Sequence, residues 1–187
     1  MRRFTRWPVL CTLISATVVL AVMAALGTAS PAATQASPAA AASAVAEELS
    51  YPYTTASRIG PWGFSTRHAT DYVAWRFFER DIAFFSTMSG PNGRSGRFGE
   101  PGTWAANAAA IGFKVENAPS AGSIAHWGAG EQGAGSAGHV AYVDRVNADG
   151  SVVISEFNLS VEHGYSKRGE PGTSSIRAPR YIHIQDR

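Results

Sequence analysis

The chain has 187 residues, with 16 Lys and Arg residues, 14 Asp and Glu residues and a net charge of +2 at pH 7. Three of the arginines lie within the first 36 residues, so the rest of the chain carries 13 basic and 14 acidic residues. This balance, without a basic patch and interleaved aromatic residues, predicts no nucleic-acid partner. The single cysteine, Cys11, lies near the amino terminus, so an exported domain would have no disulfides and would depend on its core.

Residues 1–29 have the three parts of a secretory signal peptide. Basic residues in MRRFTRW precede an apolar run from Val9 to Leu26, and small residues follow in GTASPAATQAS. Cleavage after Ala29 or Ala36 fits the small-residue rule. The apolar run approaches the ~20 residues that cross a bilayer, so an uncleaved anchor is the alternative. Both interpretations, a cleaved signal peptide and an uncleaved anchor, predict an exported protein that contacts a membrane only through this segment.

A change of composition separates residues 30–50 from residues 51–187. Residues 30–50 are rich in Ala, Ser and Pro and lack apolar periodicity, which predicts a flexible linker. Residues 51–187 are long enough for one domain of ordinary size.

Two helices are predicted early in this domain. The first has its N-cap at Ser65 or Thr66 and continues through RHATDYVAWRFFERD to about Arg80. Residues 89–102 form a predicted loop. Thr103 then caps a second helix, WAANAAAIG, which Gly112 ends.

Strands predominate after the second helix. They are predicted at 122–127, 139–146, 151–157 and 180–185, with a shorter strand near Tyr165. Helices followed by an antiparallel meander predict an α+β domain. The glycine-rich loop at 128–138 precedes a strand and lacks a phosphate-binding lysine, so we predict no nucleotide site.

The hairpin SAGHVAYVDRVNADGSVVISEFN, residues 136–158, brings three polar residues to one face. A two-residue loop at 148–149 places His139 opposite Asn158 and Ala141 opposite Glu156. Opposed residues share a face in an antiparallel ladder, so the three polar side chains project to the same side. A one-residue bulge would break this parity. Gly138, before the histidine, predicts close approach of another chain segment or a substrate.

A histidine beside a carboxylate and an amide is typical of an oriented general base. The acceptor would bind Nδ1–H of His139, fix its tautomer and leave Nε2 to take a proton. The alternative is that His139 only begins a strand and Glu156 is solvated at the end of its own strand.

Residues 51–187 resemble the CHAP family, the cysteine- and histidine-dependent amidohydrolases and peptidases that cut bacterial peptidoglycan. DYVAWR at 71–76 resembles the helix that begins at the family nucleophile, and TWAANAAAIGF at 103–113 resembles the second helix. SAGSIAHW at 120–127 is similar to the first sheet strand, and residues 138–158 to the family's His strand, hairpin and Glu-x-Asn strand. The resemblance implies a papain-like α+β fold, with amino-terminal helices packed on an antiparallel β-sheet.

The resemblance also implies roles for individual residues. His139 would be the general base, Glu156 its orienting partner and Asn158 a neighbouring polar residue that shapes the site. The nucleophile would stand two residues before Asp71, where the helix dipole and an imidazolium stabilise a thiolate. That position is Ala69. Because losing a triad nucleophile costs about 10⁶-fold in kcat, the chain as written is predicted to be catalytically silent.

Other assignments for the site remain open. Thr70 would point roughly 100° round the helix from position 69, and Ser65 lies a full turn earlier, so neither hydroxyl is expected to replace the nucleophile. A zinc site made by His68, His139 and Glu156 is a weaker alternative. With no D-x-D-x-D-G loop in the sequence, we predict no metal and no cofactor. The candidate groove residues are Trp62, Phe64, His68 and Trp127, with core packing as the alternative for the aromatic ones.

Three functions fit these observations. The first is a secreted peptidoglycan amidase or endopeptidase of the bacterial cell envelope that acts on the stem peptide or cross-bridge and is silenced in this chain by an introduced Cys→Ala change at position 69. The second is a natural pseudoenzyme that binds wall peptide as a binding or regulatory module. The third is an unrelated structural domain of the envelope, which the density of motifs disfavours.

Overall fold

The computed structural model describes residues 39, 42, 46–48 and 50–186. The predicted signal peptide or anchor at 1–29 lies outside these residues. Within them, no helix has the length and apolar character needed to cross a membrane.

The described domain consists of helices followed by an antiparallel sheet, as the sequence predicts. The main helices are α1 (Ala69–Phe78) and α2 (Trp104–Ala110). The large sheet has the strand order β3-β8-β4-β5-β6-β7, and β1 and β2 form a separate hairpin. The strands are β1 (Thr87–Ser89), β2 (Ser95–Arg97), β3 (Lys114–Glu116), β4 (Ile124–Trp127), β5 (His139–Val146), β6 (Val152–Phe157), β7 (Tyr165–Arg168) and β8 (Arg180–His183).

Helix α1 begins at Ala69, later than the predicted N-cap at Ser65 or Thr66. The hydroxyl of Thr66 instead makes hydrogen bonds of 2.7 and 3.2 Å to backbone groups of the preceding loop. Arg67 has a φ of +58°, which lies in the left-handed region and prevents the helix from starting earlier. His68 is therefore the N-cap residue and Ala69 the first residue of the helix.

The other helix boundaries follow from the same backbone preferences. Helix α1 ends at Phe78 rather than near Arg80, and Asp81 has a φ of +56°. Helix α2 has Thr103 as its N-cap and is followed by Gly112 at a φ of +95°, as predicted. The sequence prediction missed the β1–β2 hairpin, whose second strand lies within the predicted loop, and the short strand β3. Strands of three residues are too short to show a periodic pattern.

A cluster of aromatic side chains packs around Trp104, the first residue of helix α2. Phe84 lies at ring-centroid distances of 5.3 Å from Trp104 and 5.0 Å from Phe98, and Phe64 lies 5.3 Å from Trp104. All four side chains are buried. Each such pair adds about 0.5–1.5 kcal/mol beyond the burial of its surface. The cluster supplies the stabilising core expected of a domain without disulfides.

The predicted linker is ordered at its carboxyl end. Residues 46–48 and 50 are helical, and Glu47 contacts helix α1 and strand β7. Its carboxylate accepts hydrogen bonds from the hydroxyls of Tyr72 at 2.8 Å and Tyr165 at 2.7 Å, and it pairs with Arg76 and, at 3.3 Å, with Lys167. Glu47, which the sequence analysis placed in the flexible linker at residues 30–50, is therefore part of the fold, because composition does not reveal an anchor made by one carboxylate.

Candidate active site

The β5–β6 hairpin has the predicted register at the end that carries the candidate residues. Tyr142 pairs with Ser155. Continued by one residue, this register sets Ala141 opposite Glu156, as predicted. His139 and Glu156 therefore project from the same face of the sheet.

The turn end of this hairpin departs from the prediction in two ways that compensate. Val146 pairs with Val152, and N of Asn147 donates to O of Ser151 at 2.7 Å, so the loop has three residues rather than two. The ladder then shifts at Asp144, which forms a β-bulge. The bulge offsets the extra loop residue, so His139 and Glu156 still project from the same face.

His139 and Glu156 form a buried, hydrogen-bonded pair. Nε2 of His139 lies 2.8 Å from Oε2 of Glu156, and the two side chains are 4% and 0% exposed. Arg168 donates from Nε to Oε1 at 2.5 Å and from Nη2 to Oε2 at 3.1 Å, and the hydroxyl of Ser166 donates to Oε1 at 3.0 Å. Burial raises the pKa of Glu156, but the hydrogen bonds from His139 and Arg168 outweigh it and hold the pKa below its ordinary value.

The ring of His139 is turned the other way from the prediction. We expected the acceptor to bind Nδ1–H, whereas Glu156 binds Nε2. The carboxylate accepts only, so Nε2 carries the proton that forms this bond. Nδ1 is left without the proton, and the carboxylate still fixes the tautomer of the ring.

A cavity of about 800 Å³ lies between the start of helix α1 and His139. Ala69, at the predicted nucleophile position, lines this cavity together with His139 and Asn158. The cavity, which we call the main groove, also has Phe64, Ser65, His68, Thr70 and Leu159 in its walls. The structure therefore brings the first residue of α1 and the candidate base to one accessible space.

The described part of the chain shows no contact that would support another nucleophile or a zinc site. Ser65 and Thr70 line the main groove, but no hydrogen bond among the described residues joins either hydroxyl to His139. In the same part of the chain no three His, Cys, Asp or Glu side chains are grouped to hold a metal ion. His68, His139 and Glu156 thus do not assemble as the zinc site considered above.

Asn158 hydrogen-bonds to His68 and not to His139 among the described residues. Its Nδ2 lies 3.3 Å from Nδ1 of His68, and its Oδ1 accepts a hydrogen bond from N of His163 at 2.8 Å. Because an amide nitrogen only donates, His68 accepts at Nδ1 and carries its proton at Nε2, 3.2 Å from Oγ of Ser57. Burial, and then the neighbouring His163, lower the pKa of His68, which favours this neutral ring. Asn158 fixes the residue that precedes helix α1.

Gly138 allows a neighbouring turn to approach the start of β5. Its φ is +76°, and a Cβ atom at this position would lie 2.4 Å from Cα of Gly102. N of Gly102 also donates to O of Ala137 at 2.8 Å. The close approach predicted from a glycine before His139 is made by another segment of the same chain.

The candidate groove residues occupy different places. Phe64 and His68 line the main groove, whereas Trp127 lines a second cavity of about 390 Å³ that also includes His139. Trp62 is buried and packs against Tyr53 and Phe78 at ring-centroid distances of 6.1 and 5.6 Å. We therefore place Trp62 in the core and leave it out of the proposed groove.

The sequence model of the CHAP domain family matches residues 59–158, which is more than half of the chain. The chain belongs to the CHAP domain family. The match includes the start of helix α1 and the whole β5–β6 hairpin, the two elements that form the main groove.

Curated proteins similar to this CHAP domain include two from staphylococci. The probable autolysin SsaALP of Staphylococcus aureus is 54% identical over 57 residues, which are 30% of this chain and 20% of that protein. The N-acetylmuramoyl-L-alanine amidase sle1 of Staphylococcus haemolyticus is 31% identical over 122 residues, 64% of this chain and 34% of that protein. The chain thus spans between about a fifth and a third of the length of these relatives.

Solved structures with detectable similarity to this chain include an amidase and the protein Ly7917. An N-acetylmuramoyl-L-alanine amidase from Staphylococcus aureus shares 30% identity, covers 62% of this chain and 29% of its own, and has a TM-score of 0.48. The protein Ly7917 shares 16% identity, covers 75% of this chain and 61% of its own, and has a TM-score of 0.43.

Asp71 is an ionisable residue of this CHAP domain that the sequence analysis used only as a position marker. Its Oδ2 accepts a hydrogen bond from the hydroxyl of Tyr51 at 2.5 Å, while Oδ1 is buried without a hydrogen-bond partner among the described residues. Burial raises the pKa of Asp71 to about 6, against the opposing effect of the Tyr51 hydrogen bond. The available signal was an aspartate in the first turn of a mostly apolar helix.

Arg168 is a second residue of the site that the sequence analysis missed. It lies at the end of the short strand β7 and binds both oxygens of Glu156. The pairing of β6 with β7 brings Arg168 to Glu156. Arg168 lies opposite Ile154 in this pairing, and Glu156 is two residues from Ile154 on the same face of β6. No local pattern in the sequence reports such a cross-strand contact.

Proposed function

We propose that this chain is an exported CHAP domain that recognises bacterial peptidoglycan and whose hydrolytic site is complete except for the nucleophile. The observation that supports this proposal is the main groove, where Ala69 stands across from a His139 that Glu156 orients. The relatives named autolysin and N-acetylmuramoyl-L-alanine amidase make peptidoglycan of the cell envelope the ligand class. The stem peptide or the cross-bridge would lie in the groove.

The form of the protein with a cysteine at position 69 would be an acyl-transfer enzyme. Nδ1 of His139 would take the thiol proton, and the thiolate would attack the carbonyl carbon of an amide. Backbone N–H groups at the start of helix α1 would stabilise the oxyanion. His139 would then return the proton to the leaving amine, and water would hydrolyse the thioester. With Ala69 no such bond forms, so the groove binds but does not cut.

A natural binding module is the second candidate function. The observation that favours it is that the main groove keeps a volume of about 800 Å³ and an intact His139–Glu156 pair without a nucleophile. Because binding and catalysis use different interactions, a groove can retain its ligand after losing the reacting atom.

The test compares peptidoglycan digestion by the chain as written and by Ala69→Cys. Loss of turbidity and the masses of released fragments are measured, and Ala110→Cys, at an exposed position of α2, controls for a thiol elsewhere. We expect cutting only by Ala69→Cys, with fragments that distinguish an amidase from an endopeptidase.

Other outcomes decide between the two functions. If neither form cuts but both sediment with cell walls, the protein is a binding module. Cutting by the chain as written would show that the nucleophile assignment is wrong. If no form cuts and none binds walls, the proposed function is rejected.

A further inference from the structure

A second cavity of about 390 Å³ adjoins the main groove at His139. The two cavities share His139 and Leu159 in their walls, so they lie next to one another. Two of the residues that line the second cavity are arginines, Arg168 and Arg177, and none is Asp or Glu. Both charged side chains of the lining are therefore cationic, although Glu156 outside the lining pairs with Arg168.

Arg168 lines this cavity and has one nitrogen that makes no hydrogen bond among the described residues. Its Nε and Nη2 atoms both bind Glu156, whereas Nη1 has no hydrogen-bond partner among the described residues. The bidentate contact holds the guanidinium plane rigid, with 32% of the side chain exposed. Arg168 thus offers a fixed, charged N–H group to a ligand at low entropic cost.

The side-chain amide of Gln132 offers a second hydrogen-bond donor because Trp127 determines which way the amide faces. Nε1 of Trp127 donates a hydrogen bond to Oε1 of Gln132 at 3.0 Å. An indole N–H can only donate, so the amide must turn its oxygen toward Trp127. The amide nitrogen of Gln132 is then left to donate, and it makes no hydrogen bond among the described residues. Both side chains line the second cavity.

Arg177 supplies a charge that is free to reorient. Its Nη2 donates to O of Asp149 at 2.5 Å and lies 3.6 Å from Oδ2 of the same residue. The two side chains are 57% and 55% exposed, so solvent screens this ion pair and it contributes little. Arg177 can leave it for an anionic group in the cavity at small cost.

From these donors we infer that the second cavity binds a carboxylate of the wall peptide beside the reacting amide. The inference rests on the proposed function and adds a requirement for an anionic group in the ligand. A carboxylate accepts hydrogen bonds on both oxygens, which suits Arg168, Gln132 and Arg177, and bonds of this charge-assisted kind are about twice as strong as neutral ones. The cavity would favour peptides with a free carboxylate over their amidated forms.

The experiment measures binding of two peptides that differ in one group. Two peptides are titrated into the full chain by calorimetry. The first is acetyl-L-alanyl-D-glutamate with its side-chain carboxyl blocked as a methylamide, so that only the α-carboxylate is free, and the second is the same peptide with that α-carboxylate converted to a primary amide. We expect the carboxylate peptide to bind about five- to tenfold tighter. Arg177→Gln should reduce this preference to about twofold or less. Arg145→Gln, which removes an exposed arginine outside the cavity, should retain it.

The controls separate this inference from the proposed function. Equal binding of the two peptides, or an equal effect of Arg177→Gln and Arg145→Gln, overturns the inference. Absence of peptide binding also overturns it, even if the chain sediments with cell walls, in which case the proposed function stands. If neither peptide binds and the chain does not sediment with walls, both are rejected.

Discussion

His139 and Glu156 are joined by a 2.8 Å contact between Nε2 and Oε2, and neither side chain is more than 4% exposed. We predict that adding Glu156→Gln to the Ala69→Cys variant lowers kcat for peptidoglycan by about 10³–10⁴-fold, because an amide neither selects the tautomer nor stabilises an imidazolium. Initial rates of turbidity loss measure the effect. Glu162→Gln, at an exposed position, is the matched control.

The same substitution has a separate effect on stability. Glu156→Gln leaves the Arg168 guanidinium without its counter-charge, so we expect it to lower the free energy of unfolding by about 2–4 kcal/mol. Rates are therefore compared at a temperature where circular dichroism shows both variants folded. A folded Glu156→Gln variant with an undiminished kcat would show that the carboxylate does not orient the base.

Asp71 gives the stability of the domain a distinctive dependence on pH. Its pKa in the folded protein is about 6, above its ordinary value of 3.8, so the folded state holds the proton more tightly than the unfolded state. The contribution of Asp71 to the free energy of unfolding therefore falls as pH rises from about 4 to about 6, by about 3 kcal/mol in total. We predict that Asp71→Asn removes this fall, measured by urea unfolding at several pH values.

Several groups with lowered pKa values, Glu156 and His68 among them, act in the opposite sense, and differences between variants remove their contributions. The pKa of Glu156 is lowered from 4.5, so its contribution is lost only as pH falls below that value. The pKa of His68 is lowered from 6.5, so its contribution grows as pH rises toward 6.5. Asp81→Asn, an exposed substitution, should show the same pH profile as the unsubstituted chain. If Asp71→Asn does so too, the carboxyl is not protonated in the folded state.

Glu47 and Glu48 form a natural matched pair for testing whether the segment before residue 51 belongs to the fold. The side chain of Glu47 is 16% exposed and pairs with Arg76 and Lys167, whereas that of Glu48 is 43% exposed and contacts Arg67 at 3.4 Å. We predict that Glu47→Gln costs about 1–3 kcal/mol and Glu48→Gln less than about 0.5 kcal/mol. Equal free energies of unfolding for the two variants would mean that the segment is not docked.

Gly138 and Gly130 share a left-handed backbone but differ in their surroundings. A Cβ at Gly138 would meet Cα of Gly102 at 2.4 Å, whereas nothing lies within 4 Å of a Cβ at Gly130. We expect Gly130→Ala to cost about 1 kcal/mol from the backbone alone and Gly138→Ala about 3 kcal/mol or more, since backbone must move. In the Ala69→Cys background only Gly138→Ala should also slow hydrolysis, because His139 follows it directly. Equal costs would exclude the close approach.

The sequence predicted the elements whose signals are local and left out the contacts that need the folded chain. Strand β5 was predicted with its observed ends because β-branched and aromatic residues fill it, and the pairing of His139 with Glu156 followed from strand alternation. The start of α1 was misplaced because a left-handed Arg67 has no signature in the sequence. Arg168 reaches its carboxylate across strands, so it could be found only from the sheet.

The bulge at Asp144 makes the site sensitive to the count of residues in one strand. If Asp144 alone were deleted, every residue from His139 to Val143 would slip by one position against β6, and the imidazole would point away from Glu156. Removing one residue from the loop at 148–150 would leave that pairing intact. A related protein that lacks one residue of this hairpin can therefore keep its site if the residue is missing from the loop. It cannot keep the site if the missing residue is the one that forms the bulge.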